Sequence, residues 1–202
     1  MPLILDNAGN KFGKTAGNAL WLDKSKTSSY ELYQYLVNSD DSKVEEYLKV
    51  FTFLSPEEII DIMKQHQEAP EQRIAQKTLA REFIKDLHWE AEYQKVQKII
   101  DVLFGDWDKI AIISKMSDDE KAALARETGS VKLQWETRLM DLIVESGLAS
   151  SNWETKKLIQ AGSIYFNEEK VEDIQKTIKS EYLINGVGLL RKWKKTYKLI
   201  LG

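Results

Sequence analysis

Apolar side chains at helical spacing constrain the fold of this chain more than any other feature of its sequence. Three groups of four residues follow the spacing i, i+3, i+4, i+7, which places each group along one side of a helix. The groups are Val44, Tyr47, Leu48 and Phe51, then Ala80, Phe83, Ile84 and Leu87, then Val96, Ile99, Ile100 and Leu103. Each stripe must be buried against a neighbour, so the spacing predicts an α-helical domain over residues 28–105.

Serine residues followed three positions later by glutamate indicate where further helices begin. This capping pattern occurs at Ser55, with Pro56 at the first helical position, at Ser117 and at Ser151. Between the first and last of these, residues 106–131 contain only the helix that follows Ser117 and no strong apolar stripe. We therefore expect a linker with one helix there, across which the flanking domains move relative to each other.

Residues 132–202 combine helical and strand patterns. A short helix carries Leu139, Leu142 and Ile143, and a second helix runs from residue 151 to Gly162. Residues 163–167, 186–190 and 196–201 indicate strands, the last two separated by the basic turn 191–195. The predicted fold class is therefore mainly α with a small α+β domain, in which a helical bundle precedes the mixed unit.

Charge is distributed unevenly along a chain whose net charge is only −3. Residues 150–202 hold 10 Lys+Arg against 6 Asp+Glu, whereas residues 1–104 hold 13 against 17 and residues 105–149 hold 6 against 9. The basic C-terminal segment favours a nucleic-acid contact there over non-specific binding along the whole chain. It also argues against a purely helical interaction protein without a role in RNA binding.

Composition excludes several classes of protein and site. The chain has no cysteine, which excludes disulfides, cysteine-ligated zinc and thiol catalysis. Its two histidines, His66 and His88, do not lie at the spacing of metal ligands, so we expect no protein-bound metal. No apolar run approaches the roughly 20 residues of a membrane span, and no signal peptide is recognisable. We expect a cytoplasmic protein, with an organelle matrix as the other setting, and no membrane contact.

A short loop near the N-terminus carries two cations. Lys11 and Lys14 flank Phe12 and Gly13, and Thr15 follows. Two ammonium groups and exposed backbone N–H groups in a loop rich in turn formers suit a polyphosphate. The generic alternative is a Walker A loop, but that motif requires glycine at position 8, where this chain has alanine.

The loop and its flanks resemble the KMSKS region of bacterial and organellar tyrosyl-tRNA synthetases. In that family the signature commonly reads K-F-G-K-[ST], as residues 11–15 do here, and a short apolar segment with tryptophan and aspartate follows, as in residues 19–23. The resemblance extends through the helical region and, more weakly, to the C-terminus. It implies ATP, accompanied by Mg²⁺, as the ligand of the loop. The residues it assigns to ATP are Lys11, Phe12, Gly13, Lys14 and Thr15, of which Lys11, Lys14 and Thr15 would be catalytic.

The same resemblance implies that residues 1–27 are a remnant of a class I catalytic domain. Residues 28–105 would then be the anticodon-binding domain. Neither histidine belongs to the H-x-G-H motif of that catalytic domain, so we expect the tyrosine and ATP pockets to lie in a missing catalytic half. The chain alone is therefore expected to be inactive. Its implied partners are tRNA(Tyr) and, in the full enzyme, ATP and tyrosine, and a homodimer is expected only when the catalytic domain is present.

Residues 132–202 resemble the S-four-type RNA-binding domain that ends the bacterial tyrosyl enzymes. Seven positions fit its usual pattern: Ser151, Glu154, Leu158, Ile159, Gly162, Ile164 and Asn167. Four depart from it, because Asn152, Lys156 and Lys157 replace arginines and Glu168 replaces a glycine. The predicted RNA-binding residues are Lys156, Lys157, Arg191, Lys192, Trp193, Lys194 and Lys195. Trp193 is equally compatible with stacking on a base and with packing back on its own domain.

The sequence is compatible with two interpretations of the whole chain. One is the C-terminal part of a tyrosine–tRNA ligase, which contributes the ATP loop and the tRNA-binding domains. The other is a stand-alone RNA-binding protein derived from such a C-terminal half, with no catalytic role.

Overall fold

A computed structural model describes residues 4, 14–15, 18–193 and 196–202. The chain divides into two compact units, Met1–Val96 and Gln97–Gly202. Helices dominate, and a small sheet occurs near the C-terminus, which confirms the mainly helical fold class. Across the described ranges, no helix has the length and apolar character needed to cross a bilayer.

The first unit is a short hairpin followed by helices. Strands β1 (Lys14–Thr15) and β2 (Asn18–Ala19) pair antiparallel. The helices are α1 (Ser29–Val37), α2 (Asp41–Phe51), α3 (Pro56–Glu68), a 3₁₀ turn at Pro70–Gln72, and α4 (Ile74–Phe104), which continues into the second unit. The stripe predicted for α2 is confirmed, since its first three members are buried. The fourth, Phe51, is half-buried and packs its ring at 5.8 Å from those of Tyr47 and Phe83.

Helix α4 spans the two stripes that the sequence assigns to separate helices. Its backbone leaves the helical conformation at Trp89, where φ is 73° and ψ is 160°. An L-amino acid rarely occupies this region, so the kink has a local conformational cost. The boundary between the units falls after Val96, further along the same helix.

The serine caps predicted from the sequence are present, with one difference. Ser55 and Ser117 each form the full reciprocal capping box with the glutamate three residues later. Ser151 accepts the N–H of Glu154, but the Glu154 carboxylate turns to Ser150 instead of the Ser151 backbone. A further full box, at Ser28, begins α1.

The second unit is built around a five-stranded sheet. Its helices after α4 are α5 (Lys109–Ile113), α6 (Asp118–Thr128), α7 (Leu139–Glu145) and α8 (Asn152–Gln160), with a 3₁₀ turn at Ser180–Tyr182. The strands are β3 (Ser130–Lys132), β4 (Thr137–Arg138), β5 (Ile164–Phe166), β6 (Glu169–Lys170), β7 (Thr177–Ile178), β8 (Val187–Lys192) and β9 (Thr196–Leu201). The main sheet has the order β3-β9-β8-β5-β6, and β4 pairs separately with β7.

One apolar core holds α7 and α8 against this sheet. Leu139, Leu142 and Ile143 of α7 are buried, together with Ile159 of α8 and Ile164 of β5. The hairpin β8–β9 is regular, with Leu190 opposite Lys198 and Lys192 opposite Thr196. The strands predicted on either side of the basic turn are therefore confirmed.

Residues 106–131 were predicted to be a linker with one helix, and the helix count is wrong. This segment contains α5, α6 and most of β3, and β3 pairs in parallel with β9 through Val131 and Ile200. Ile113 and Leu124 are buried. The apolar positions are too widely spaced to form a stripe, and β3 gains its hydrogen bonds from a strand at the far end of the chain. Neither feature is readable locally. The domain boundaries inferred from the sequence stay a prediction.

Candidate nucleic-acid interface

The doubly basic loop is only partly within the described residues. Lys14 and Thr15 form β1, opposite Ala19 and Asn18, so the second half of the loop is a strand paired antiparallel with β2. Lys11, Phe12 and Gly13 lie outside the described residues. Their assignment to ATP therefore stays a prediction.

Helix α8 presents two cations and an indole to solvent. Lys156 and Lys157 are exposed, and 67% of the Trp153 surface is accessible. The Lys157 ammonium lies 3.5 Å from the centre of the Trp153 ring, one helical turn away. This distance is typical of a cation–π contact. Within the part of the chain that the structure describes, no carboxylate lies at ion-pair distance from either lysine.

Glu154, on the same helix, ties α8 to the sheet. Its carboxylate accepts the Ser150 backbone N–H at 2.8 Å and the Ser150 hydroxyl at 2.7 Å, and it lies 3.3 Å from the Lys192 ammonium. The two hydrogen bonds from Ser150 and the one from Lys192 lower the pKa of Glu154 to about 2. Glu154 is therefore a carboxylate at neutral pH.

Arg191 and Lys192, predicted to lie in the basic turn, are the last two residues of β8, and both have protein partners. Lys192 also donates to the Leu148 carbonyl at 2.8 Å, and only 17% of its side chain is exposed. Arg191 lies 3.2 Å from the Glu168 carboxylate and 3.7 Å from the centre of the Tyr165 ring, with 14% of its side chain exposed. Their charges are thus largely satisfied within the domain.

Among the described residues 191–193, Trp193 is the most exposed. Its accessible fraction is 59%, its φ is 55°, and its N–H donates to the Ser163 carbonyl at 2.8 Å. The Lys192 ammonium is 5.2 Å from its ring. Lys194 and Lys195 lie outside the described residues. Of the predicted RNA-binding residues, the structure therefore brings Lys156 and Lys157 together on α8 and leaves Trp193 accessible on the hairpin.

The turn between β5 and β6 explains the residues found at two positions of the S-four-type pattern, Asn167 and Glu168. Asn167 and Glu168 both have positive φ, 51° and 67°, as a tight two-residue hairpin turn requires. The Asn167 side chain accepts the Leu189 N–H at 2.8 Å and donates to the Tyr182 carbonyl at 2.9 Å. Glu168 takes a conformation that suits glycine, and its carboxylate there pairs with Arg191.

Comparison with known proteins identifies the family. The family described as "tRNA synthetases class I (W and Y)" matches residues 1–105, just over half of the chain. The chain belongs to this family. A second description, "Tyrosine--tRNA ligase SYY-like C-terminal domain", matches residues 120–200. The resemblance to the tyrosyl-tRNA synthetases is thereby confirmed, and it includes the region of the sheet.

Similarity to individual proteins supports the family assignment. The chain is 40% identical over 200 residues to a tyrosine–tRNA ligase of Streptococcus agalactiae and 38% identical over 202 residues to one of Oceanobacillus iheyensis. These alignments cover 98% and 99% of this chain but 46% of each relative. The chain thus spans less than half the length of these ligases.

Two solved structures are also similar to parts of this synthetase-family chain. One is a C-terminally truncated mitochondrial tyrosyl-tRNA synthetase of Aspergillus nidulans, with 45% identity, a TM-score of 0.41, and coverage of 43% of this chain and 25% of that chain. The other is the corresponding protein of Coccidioides posadasii, with 42% identity, a TM-score of 0.42, and coverage of 48% and 25%.

Sequence reasoning missed Trp153 as a member of the surface on α8. The signal was present, because Trp153 and Lys157 are four residues apart on a helix whose cap had been recognised. Trp153, Lys156 and Lys157 form the candidate nucleic-acid interface, which is called the α8 surface.

Proposed function

We propose that this chain is the C-terminal part of a tyrosine–tRNA ligase and that it contributes tRNA(Tyr) binding and a loop for ATP. The observation that carries the RNA-binding half is the α8 surface, where two lysines without a carboxylate partner among the described residues adjoin an exposed indole. Lysine ammonium groups bind phosphates, and a tryptophan face stacks on an unpaired base. The identity to tyrosine–tRNA ligases over nearly the whole chain supports the choice of tRNA as the RNA.

The domains would divide this work. We assign residues 28–105 to the anticodon-binding domain and the unit from 132 to 202 to an S-four-type RNA-binding domain. The pairing of α7 and α8 with a small sheet and the left-handed turn at Asn167 support the second assignment. Arg191 and Lys192 then hold the hairpin in place, through Glu168 and Glu154, and contribute little free charge to RNA.

The loop would act on ATP in the complete enzyme. When the tyrosine carboxylate attacks the α-phosphate and pyrophosphate leaves, negative charge builds on the phosphates in the transition state. Cations that reach the phosphates at that point lower the barrier, whereas cations that bind ATP equally at all stages do not. Lys11 and Lys14 on a loop that closes late suit this role, with Thr15 as a hydroxyl donor and Gly13 permitting close backbone approach. Mg²⁺ is expected to accompany the ATP.

Binding of a tRNA(Tyr) transcript to the purified chain at several salt concentrations tests the RNA-binding half. The logarithm of affinity should fall with the logarithm of salt concentration with a slope of several units. Substituting both Lys156→Gln and Lys157→Gln should flatten the slope by up to about two units, because each lysine displaces roughly one counterion. Trp153→Ala and Trp193→Ala should weaken binding at every salt concentration with the slope unchanged, because stacking releases no counterion.

A charge-matched control separates the α8 surface from a general effect of net charge. Lys115 and Lys132 are exposed residues of the same unit outside α8. Their double replacement by glutamine removes the same charge and should leave the slope nearly unchanged. Equal slopes for the two double variants would show that α8 is only a solvated face, and the RNA-binding proposal would then lose its structural support.

A further inference from the structure

A partly buried hydrogen-bonded cluster in the first unit joins the segment after the hairpin β1–β2 to helix α4. The Ser29 hydroxyl lies 2.8 Å from Nδ1 of His88, and Nε2 of His88 lies 2.8 Å from the Leu22 carbonyl oxygen. Ser29 is buried, with 3% of its surface exposed. The imidazole therefore bridges the start of α1, the middle of α4 and the chain at residue 22.

The carbonyl determines which nitrogen of the ring carries the proton. A carbonyl oxygen only accepts, so Nε2 of His88 must be the donor to Leu22. In the neutral ring Nδ1 is then a bare acceptor, and the Ser29 hydroxyl donates to it. Both ring nitrogens are thus used, and the contact to residue 22 depends on Nε2–H alone.

Glu92 allows the same contact to persist when the ring gains a second proton. Its Oε1 lies 3.4 Å from the Ser29 hydroxyl. If Nδ1 of His88 becomes a donor, Ser29 can accept from it and turn its own proton toward this carboxylate. Charged groups near the cluster include Lys24 and Lys95, at 3.8 and 3.7 Å from Glu92, and Asp23 and Lys26 in the attached segment. A ring protonated on both nitrogens keeps the Nε2 proton, so the donor to the Leu22 carbonyl is retained.

The segment held by this contact has its own internal order. The Trp21 N–H donates to the Thr27 hydroxyl at 3.0 Å, and the N–H groups of Lys26 and Thr27 donate to the Asp23 carbonyl at 3.0 and 3.1 Å. The backbone outlier at Trp89 directly follows His88. A strained residue persists only where its surroundings fix it, so its position beside the bridging imidazole is a second indication that this point of α4 is constrained.

We propose that His88 is a positioning residue that fixes residues 20–27 on α4 through Nε2–H, with Ser29 as a reversible partner that keeps the contact in both charge states of the ring. The proposal stands on the contacts of the first unit alone. Only one consequence rests on the proposed function: because residue 20 continues directly from β2, the contact would anchor the C-terminal end of the ATP loop.

Amide hydrogen exchange of the purified chain tests this proposal with a matched pair of variants. Glutamine places an amide N–H near the position of Nε2, whereas the shorter asparagine reproduces only the Nδ1 side. In His88→Asn, amides of residues 21–27 should exchange roughly five- to tenfold faster, the size expected for loss of one intramolecular hydrogen bond. In His88→Gln they should stay within about twofold of the wild type. Amides of α6 in the second unit serve as an internal reference.

Exchange of the wild-type chain at pH 5.5 and 7.5 tests the reversible role of Ser29, because the lower pH favours the doubly protonated ring. After correction for intrinsic rates, the protection of residues 21–27 should be equal at the two pH values. Protection that is lost at pH 5.5 would overturn the reversible partner. Equal loss in His88→Asn and His88→Gln, or loss spread over α1, α2 and α3, would show that His88 is an ordinary packing residue. None of these readouts involves tRNA or ATP, so a failure here is distinct from a failure of the proposed function.

Discussion

Glu154 shows how a single residue of this protein serves two elements. Its backbone N–H is capped by Ser151, while its carboxylate accepts from Ser150 and pairs with Lys192 of β8. The N-terminus of α8 is therefore fixed to the strand that leads into the basic turn. The same pair removes Lys192 from the set of cations available to RNA.

The lowered pKa of Glu154 predicts an acid-dependent loss of stability. Its pKa falls from an ordinary value of 4.5 to about 2 in the folded chain. The unfolded state therefore binds the proton more readily, so the stabilisation is present above pH 4.5 and is lost as the pH falls toward 2. Glu154→Gln should make urea-denaturation midpoints of the chain less pH-dependent between pH 4.5 and 2.5 than those of the wild type.

Glu172 provides the control for this measurement. Its side chain is 80% exposed and reaches Lys170 only at 3.8 Å. Glu172→Gln should leave the acid dependence as it is in the wild type, because exposed pairs at that distance contribute little. A Glu154→Gln protein with wild-type acid dependence would mean that the contacts of Glu154 are not maintained in solution.

At the scale of elements, helix starts and apolar stripes are encoded locally and were predicted correctly. The caps at Ser55 and Ser117 require only a serine and a glutamate three residues apart, and α2 requires only a periodic stripe. The kink at Trp89 has no such signal, because neither glycine nor proline marks it. The pairing of β3 with β9 and that of Lys192 with the Leu148 carbonyl depend on residues far apart in sequence. For the same reason the cations of residues 191–195 could be identified from the sequence, but the carboxylates that pair with them could not.

Helix α6 provides the element-scale prediction, because its start depends on one hydroxyl. Ser117 accepts the Glu120 N–H, and Glu120 returns a contact to the Ser117 N–H at 2.8 Å. Burial alone would raise the pKa of Glu120, but hydrogen bonds from Lys98 and Ser117 outweigh it and lower that pKa. Ser117→Ala should reduce the free energy of unfolding by about 1 kcal/mol, measured by urea denaturation followed by circular dichroism.

Ser117→Asp is the matched variant for that cap. Aspartate also accepts the N–H of the third helical residue and suits the positive end of the helix dipole. However, it adds a further carboxylate to a helix start that already holds Asp118, Asp119 and Glu120, so its stability should fall between those of the wild type and the alanine variant. An alanine variant as stable as the wild type would show that packing of Leu124 alone holds α6 in place.

At the scale of the whole molecule, only part of the excess positive charge near the C-terminus is available to a ligand, because some of the cations pair with carboxylates of the protein. Residues 150–202 hold 10 cations, but Arg191 and Lys192 are engaged with Glu168 and Glu154. Among the described residues, Lys156 and Lys157 on α8 have no carboxylate partner, and the proposed function assigns them to phosphates. The loop near the N-terminus is another basic feature, and it belongs to the first unit, whereas α8 belongs to the second.

A ligase that contains this half allows the loop to be tested in catalysis. In such a protein Lys14→Ala should lower the rate of tyrosine activation by about 10²–10³-fold, the usual loss when one transition-state donor is removed. The affinity for tyrosine should change little, because the loop is expected to contact phosphates only. Pre-steady-state formation of tyrosyl-adenylate separates the two effects. An unchanged activation rate would reduce the loop to a structural turn.

The chain by itself should not activate tyrosine. It spans 46% of the length of the ligases it matches, and neither His66 nor His88 belongs to an H-x-G-H motif. Lys11 and Lys14 can lower a barrier only for substrates that other residues bind and orient, since positioning supplies much of the rate in such a reaction. The purified chain should therefore show no tyrosine-dependent exchange of pyrophosphate into ATP, in an assay where a complete tyrosine–tRNA ligase serves as the positive control. Measurable exchange that disappears in Lys14→Ala would place a complete active site within these 202 residues and overturn the assignment of the chain to the C-terminal part of the enzyme.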